Sequence, residues 1–288
     1  AGNTDRLSGH HCTDFQTANF LWGSKLKVQF LLFTSLSPSC GELISADDGI
    51  KNCSFNSSLK TKIIIHGFRA FGTKPSWIEG LVQAILHTSQ VNVIAVDWVY
   101  GSTGAYPSAV ENVTQLALVI SQFISKLLAL VVSGTSIHII GVSLGAHIEG
   151  LVGHFHGGCL GQITALDPAG PKYTRASPEE RLDPGKAKSE NEVAFHLLSD
   201  FGIQIPVDHI NYFVNGGKNQ PGCPQFISVG YNFLICDHMR AVHLYISASN
   251  HPCPIVGFPC ANHQDFLNGH CLDCAELFLS SCPRIGTV

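Results

Sequence analysis

Residues 136–147 read SIHIIGVSLGAH. An apolar run, Ile137 to Val142, enters the pattern Gly141-Val142-Ser143-Leu144-Gly145, and helical spacing leaves it from Leu144 onward. A lone G-x-S-x-G is common. Between a buried strand and a helix it describes a sharp turn that holds a serine hydroxyl exposed in strained backbone, with small residues so that strand and helix can approach closely. The plainer reading is a glycine-rich strand-to-helix turn carrying a surface serine.

Working outward, the same rhythm repeats. Val28 to Phe33 reads as a strand, followed by a loop rich in Ser, Cys, Gly and Asn. Thr61 to Ile65 is a short apolar run that ends at His66-Gly67, and Trp77 to His87 has helical spacing through Trp77, Leu81, Ile85 and Leu86. Val91 to Val96 is a second buried strand and Asn112 to Val132 a long helix; Ala146 to Val152 is helical and Ile163 to Leu166 another strand. Strand and helix alternating in this way predict an α/β fold, a mainly parallel central sheet with helices on both faces. Beyond about residue 185 the chain is loop-rich and Cys-rich, which reads as decoration of one domain covering residues 1–288 rather than a second core.

Composition narrows the function. Charged residues are 13% and hydrophobic residues 45%, which excludes a disordered or highly solvated chain. The net charge of −4 leaves no basic excess to hold a phosphate backbone, so nucleic acid is not an expected partner. The longest apolar stretch, Leu116 to Val132, is interrupted by Ser121, Gln122, Ser125 and Lys126 and reads as a buried helix, not a transmembrane anchor. Eleven cysteines suit disulfides in an oxidising compartment. Glycosylation triplets at Asn52, Asn56 and Asn112, and a start at Ala1 without an apolar leader, point the same way: a secreted, extracellular protein.

A serine hydroxyl becomes a useful nucleophile only when a base takes its proton and a carboxylate orients that base. Asp167 closes the apolar run Ile163-Thr164-Ala165-Leu166 and would share the Ser143 sheet edge, although an Asp before Pro168 also starts turns. The base is less obvious among fifteen histidines. His66, His138 and His147 read as structural. Chain order leaves His196, His209, His238, His243, His251, His263 and His270. Asp237 is a poor orienting partner for its neighbour His238, because adjacent side chains diverge in extended backbone.

The runs IIHGF (Ile64 to Phe68), GTKPSW (Gly72 to Trp77), VIAVDW (Val93 to Trp98), GVSLGAH (Gly141 to His147), LDPAGP (Leu166 to Pro171) and CDHMRAVHLY (Cys236 to Tyr245) resemble the secreted pancreatic-lipase family. FVNGG (Phe213 to Gly217), QPGCP (Gln220 to Pro224) and SCPRIG (Ser281 to Gly286) are most similar to its phosphatidylserine-specific phospholipase A1 branch. The resemblance runs from about Cys12 to the C-terminus. It implies an α/β-hydrolase fold with Ser143 as nucleophile, Asp167 as orienting acid and His238 as base. The backbone N–H groups of Phe68 and Leu144 would form the oxyanion hole, in agreement with their places after an early strand and after the nucleophile.

The resemblance also implies disulfides pairing Cys223 with Cys236, Cys260 with Cys271, Cys274 with Cys282 and Cys40 with Cys53. The first would tie a short apolar lid loop, Pro224 to Ile235, that includes Phe226, Tyr231 and Phe233. Those side chains would meet lipid or simply pack on the core. A zinc site drawing on Cys260, His270, Cys271, Cys274 and Cys282 is the alternative for the late cysteines. Two departures stand out. Lys186 occupies a loop position where the family has an aspartate, and an ammonium there repels the calcium that some members hold. The family's C-terminal β-sandwich is not expected within residues 1–288. The expected function is hydrolysis of the sn-1 acyl ester of a glycerophospholipid, phosphatidylserine or its lyso form, through an acyl-serine intermediate. The substrate would be presented in an aggregate or membrane surface, with no cofactor and no metal. The alternatives are a triacylglycerol lipase and a non-catalytic lipid-binding protein on the same scaffold.

Overall fold

The computed structural model of the chain describes residues 12–19, 25–44, 50, 53–130, 132–184, 192–196, 201–217, 220–224, 231–250, 255–271, 282 and 284–285. In chain order the elements are β1 (Gln29–Thr34), β2 (Ser37–Ile44), β3 (Thr61–Ile65), α1 (Trp77–Thr88), β4 (Asn92–Asp97), α2 (Tyr106–Glu111), α3 (Val113–Ala129), β5 (Ile137–Val142), α4 (Leu144–Phe155), β6 (Gln162–Leu166), β7 (Glu192–His196), β8 (Ile210–Phe213), α5 (Tyr231–Asn250), β9 (Ile255–Val256), α6 (His263–Leu267) and β10 (Arg284–Ile285).

Eight strands form one sheet in the order β2-β1-β4-β3-β5-β6-β7-β8. From β4 to β8 every pairing is parallel, while β1 runs antiparallel to both β2 and β4. Strand alternation decides which helices cover which face. Ile63, Ile65, Ile94, Val96, Ile137, Ile139, Ile163 and Ala165 face a core built with α2, α3 and α4. Their neighbours Ile64, Val93, Ala95, Ile140, Val142 and Leu166 face the opposite core, built with α1 and α5. Because β5 is buried along its whole length, its sequence IHIIGV is apolar apart from His138 and shows no sustained alternation. This is the α/β-hydrolase architecture.

The run Tyr106–Ala129 is long and apolar enough to cross a membrane by length and composition. In the fold, Val113, Leu116, Ala117, Ile120, Phe123, Ile124 and Leu127 of α3 are buried, and Phe123 stacks on Phe30 at 3.9 Å. The helix expected over Asn112 to Val132 ends at Ala129, and Asn112 separates it from the short α2.

The structure corrects the expectation in three places. The loop expected after β1 is in part a strand: β2 pairs with β1 through Phe30↔Ile44 to Thr34↔Ser37, although SPSCGELI has little apolar alternation. The loop-rich reading beyond residue 185 misses β7 and β8, which extend the same parallel sheet, and the 20-residue α5. Cys40 bonds Cys12 and not Cys53. Cys12 bridges Glu42 and the Thr13 N–H donates to the Gly41 carbonyl, so the N-terminal segment lies along β2 and places Cys12 beside Cys40. Cys53 is a free thiol that packs against the α3-side core and donates to the Ile50 carbonyl.

Candidate active site

The chain leaves β3 toward one side of the sheet to build β4, and leaves β5 toward the other to build β6 to β8. Such a switch opens a crevice beyond the carboxyl ends of the two central strands, where ligands of open α/β sheets bind. Ser143 follows β5 and the His66-Gly67-Phe68 segment follows β3, so both lie in that crevice.

Ser143 is the N-cap of α4 with φ 58° and ψ −115°, in the left-handed half of backbone space. For a non-glycine residue such geometry costs on the order of 1–3 kcal/mol and persists only where the surroundings impose it. Here they do. The Ser143 N–H donates to the Leu166 carbonyl at 3.1 Å, and its own carbonyl accepts from Ala146 and Ala169 at 3.2 Å each. The glycines of the pattern are needed for contact. A Cβ at Gly141 would lie 2.7 Å from the Ala146 nitrogen, and one at Gly145 would overlap the Ile65 carbonyl oxygen. Gly67 is the same kind of residue on the other strand: a Cβ there would sit 2.6 Å from the Ser143 Cβ and 3.1 Å from its Oγ. The loop after β3 therefore passes directly over the serine, next to the Phe68 amide, while Leu144 is fully buried at the start of α4.

That loop is anchored by His66. Its Nε2 accepts from the Trp98 N–H at 3.3 Å, so Nδ1–H donates to the Gly67 carbonyl at 2.9 Å; the Trp98 indole donates back to the His66 carbonyl at 2.8 Å. Burial lowers the His66 pKa to about 3, which keeps the ring neutral and its tautomer fixed. His147 does a similar task on α4. It accepts from the Leu182 N–H, donates through Nε2 to the Ala169 carbonyl at 2.8 Å and stacks on Tyr173. His138 is buried within β5 against the Thr164 hydroxyl. All three rings are buried and held by hydrogen bonds.

Register Val142↔Leu166 puts the residue after β6 beside the residue after β5. Asp167 is fully buried, has φ 44°, and donates its N–H to the Phe195 carbonyl at 2.8 Å. Its Oδ2 accepts from His238 Nδ1 at 2.6 Å. A buried carboxylate on Nδ1–H fixes the tautomer that makes Nε2 the proton-accepting end of the ring. His196 is held elsewhere, between the Ile203 carbonyl and Asn211, and its burial lowers its pKa. Of the histidines left open by chain order, His238 is the one that bonds Asp167 among the described residues.

Three features escaped the sequence reading. His238 is carried by α5 and not by a loop, and the lid expected over Pro224 to Ile235 is helical from Tyr231 onward. Gly202 presses on the acid: Ala169 and Gly202 form a β-bridge, and a Cβ at Gly202 would lie 2.9 Å from Asp167 Oδ2 and closer still to Oδ1. Phe201, 37% exposed, sets its ring 6.3 Å from that of His238. Its place between Asp200 and Gly202 gave no periodic signal.

Disulfides Cys223–Cys236 and Cys260–Cys271 are present as expected. The second removes two thiolates that a zinc site would need. Cys282 is disulfide-bonded, and its expected partner Cys274 lies outside the described residues, as do Phe226, Lys186 and Asn52. Among the described residues no cluster of His, Cys, Asp and Glu could hold a metal. The two describable glycosylation candidates differ. Asn56 is exposed and its Oδ1 accepts from the Ser58 hydroxyl at 2.6 Å, whereas Asn112 is half-buried and donates its side-chain amide to the Gly101 carbonyl at 2.9 Å.

The lipase family model matches residues 1–288. Phospholipase A1 member A of Bos taurus is 64% identical over 279 residues, covering 96% of this chain and 61% of that protein. The Homo sapiens protein of that name is 61% identical over 278 residues, covering 96% and 60%. Lipase member H of Danio rerio is 42% identical over 287 residues, covering 98% and 63%. The chain thus spans about three fifths of the length of these relatives.

Proposed function

The chain belongs to the lipase family, and from that premise we propose that it is a secreted serine phospholipase that cleaves the sn-1 acyl ester of a glycerophospholipid. The observation that carries the proposal is the 2.6 Å bond from His238 to the buried Asp167, one residue beyond the strand that pairs with the Ser143 strand. Ser143 Oγ attacks the ester carbonyl while His238 Nε2 takes its proton. The tetrahedral oxyanion is met by the Phe68 and Leu144 N–H groups, each worth about 2.7–4 kcal/mol of transition-state stabilisation. Collapse breaks the ester C–O bond, and His238 returns the proton to the departing glycerol oxygen. Water, deprotonated by the same ring, then attacks the acyl-serine and releases the fatty acid and Ser143.

The strain at Ser143 and the fixed loop above it favour catalysis over passive lipid binding, because a binding scaffold gains nothing from a serine held at positive φ. The phospholipid class is inferred from the likeness to phospholipase A1 member A and the serine head group from the motif resemblance of Phe213 to Gly217, Gln220 to Pro224 and Ser281 to Gly286, while the three disulfides among the described residues support an extracellular setting. Partners are accordingly phospholipid aggregates or membrane surfaces. The test is product analysis with mixed-acyl phosphatidylserine vesicles and with triolein emulsion. The sn-1 fatty acid and a 2-acyl lysophospholipid should appear at least tenfold faster than triolein products. Equal rates would favour a triacylglycerol lipase, and no hydrolysis of either would overturn the proposal.

A further inference from the structure

Gln220 is a buried glutamine, 4% exposed, in a segment with no assigned role. Every polar group it owns is used. Its N–H donates to Asp237 Oδ1 at 2.8 Å, its Nε2 donates to the Val214 carbonyl at 2.9 Å, and its Oε1 accepts from Asn215 Nδ2 at 3.0 Å. Its carbonyl accepts from the Cys223 N–H at 3.1 Å. Val214 and Asn215 belong to the tight turn after β8, where Asn215 and Gly216 take φ of 51° and 67°. The bonds therefore run from the edge of the sheet, through Gln220, to the carboxylate next to His238.

We propose that Gln220 and Asp237 form a positioning clamp that sets the rotation of α5 and thereby aims His238 at Ser143. This rests on the function proposed above and names how its base is held. Ala241, Val242, Tyr245 and Ala248 bury the helix against the α1-side core, a smooth apolar contact that resists separation more than rotation. Asp237 and His238 are one helical step apart, so fixing the carboxylate on a sheet-anchored N–H fixes the direction of the imidazole. The Cys223–Cys236 disulfide acts one residue earlier, and the Cys223 N–H bond joins it to the same glutamine. Asp237 is thus neither a triad member nor a solvent charge. Neither residue touches substrate, and both act through His238.

The experiment measures kcat and KM on a soluble short-chain ester for Asp237→Ala, Asp237→Asn, Gln220→Leu and Gln220→Glu, with the parent and Ser143→Ala as references, well below each melting temperature. A misplacement near 1 Å costs about 100-fold in rate. The clamp therefore requires kcat of Asp237→Ala and Gln220→Leu to fall about 10- to 100-fold with KM within about threefold. Asp237→Asn keeps the acceptor oxygen and should recover to within about threefold of the parent. Should Gln220→Leu or Asp237→Ala fail to fold, Gln220→Glu decides: it keeps the acceptor for Asn215 and sets a carboxylate oxygen against the Val214 carbonyl in place of the amide donor, so the anchor to the sheet edge breaks and kcat must still fall with KM held. Parent-like kcat in the folded variants, or no recovery in Asp237→Asn, overturns the clamp. Parent-like activity in Ser143→Ala would instead overturn the proposed function, so the two failures are distinguishable.

Discussion

Residues 61–167 and residues 192–250 each contribute to the candidate site, by opposite means. The first stretch delivers Phe68, Ser143 and Asp167 at the ends of three neighbouring parallel strands, each position following from strand register and from strained turns enforced by small residues. The second delivers His238 on a helix that crosses no strand end and is aimed by distant partners: a disulfide, a glutamine and the Asp167 carboxylate. Geometry of the first kind is local and resists single changes outside the turns. Geometry of the second kind depends on contacts made by other parts of the chain.

Breaking the first region should have the largest effect. Ser143→Ala removes the nucleophile and is expected to cost about 10⁶ in kcat, and Asp167→Asn about 10⁴ through the wrong tautomer of His238. Steady-state kinetics on vesicles checks both; an Asp167→Asn enzyme within tenfold of the parent would detach that carboxylate from the chemistry. Gly202→Ala joins the two regions, because its new Cβ must displace the Asp167 carboxylate or the strand end that carries it. We expect kcat to fall about 100-fold with little change in KM. If KM rises and kcat holds, Gly202 shapes the substrate path and not the acid.

The buried histidines sharpen the comparison through pH. Burial lowers the pKa of His66 to about 3 and lowers those of His138 and His196. In the unfolded chain they titrate near about 6.5, so below that pH the unfolded state binds more protons. Their stabilising effect is full above about pH 6.5 and is lost as pH falls toward the folded pKa, by up to about 1.4 kcal/mol per pH unit per histidine. Urea midpoints should therefore drop between pH 7 and pH 5.5, and His138→Gln should flatten that slope. A midpoint that rises on acidification contradicts this account.

How much could be read in advance followed the same divide. Thr61 to Ile65 and Ile137 to Val142 match β3 and β5 residue for residue, since central strands read as mainly apolar runs, interrupted here by Thr61 and Lys62 in β3 and His138 in β5. By contrast β8 is the four residues INYF at the sheet edge, and β2 contains Pro38 and Gly41; neither carries the pattern of a buried strand. Helix α5 does carry a trace in the sequence, with Ala241, Val242, Tyr245 and Ala248 at helical spacing. Cys12–Cys40 was hidden for a different reason: it follows from the pairing of the N-terminal segment with β2, whereas the resemblance implied Cys40 with Cys53.

The smallest expected effect concerns the surface. Asn56 presents its carboxamide with the Ser58 hydroxyl bonded to it, while the Asn112 amide is engaged by the Gly101 carbonyl. In protein secreted from animal cells, Asn56→Gln should remove a glycan-dependent mass and Asn112→Gln should not. The reverse result would show that Asn112 is modified before α2 and α3 close around it.

Covalent labelling tests the central claim most directly. An alkyl phosphonate ester incubated with the parent protein, followed by peptide mass spectrometry, should place one adduct on Ser143, with labelling slowed at least 1000-fold in His238→Ala, since the phosphonate needs the same deprotonated hydroxyl as the ester. An adduct on another residue, or no adduct on a protein shown to be folded, would contradict it.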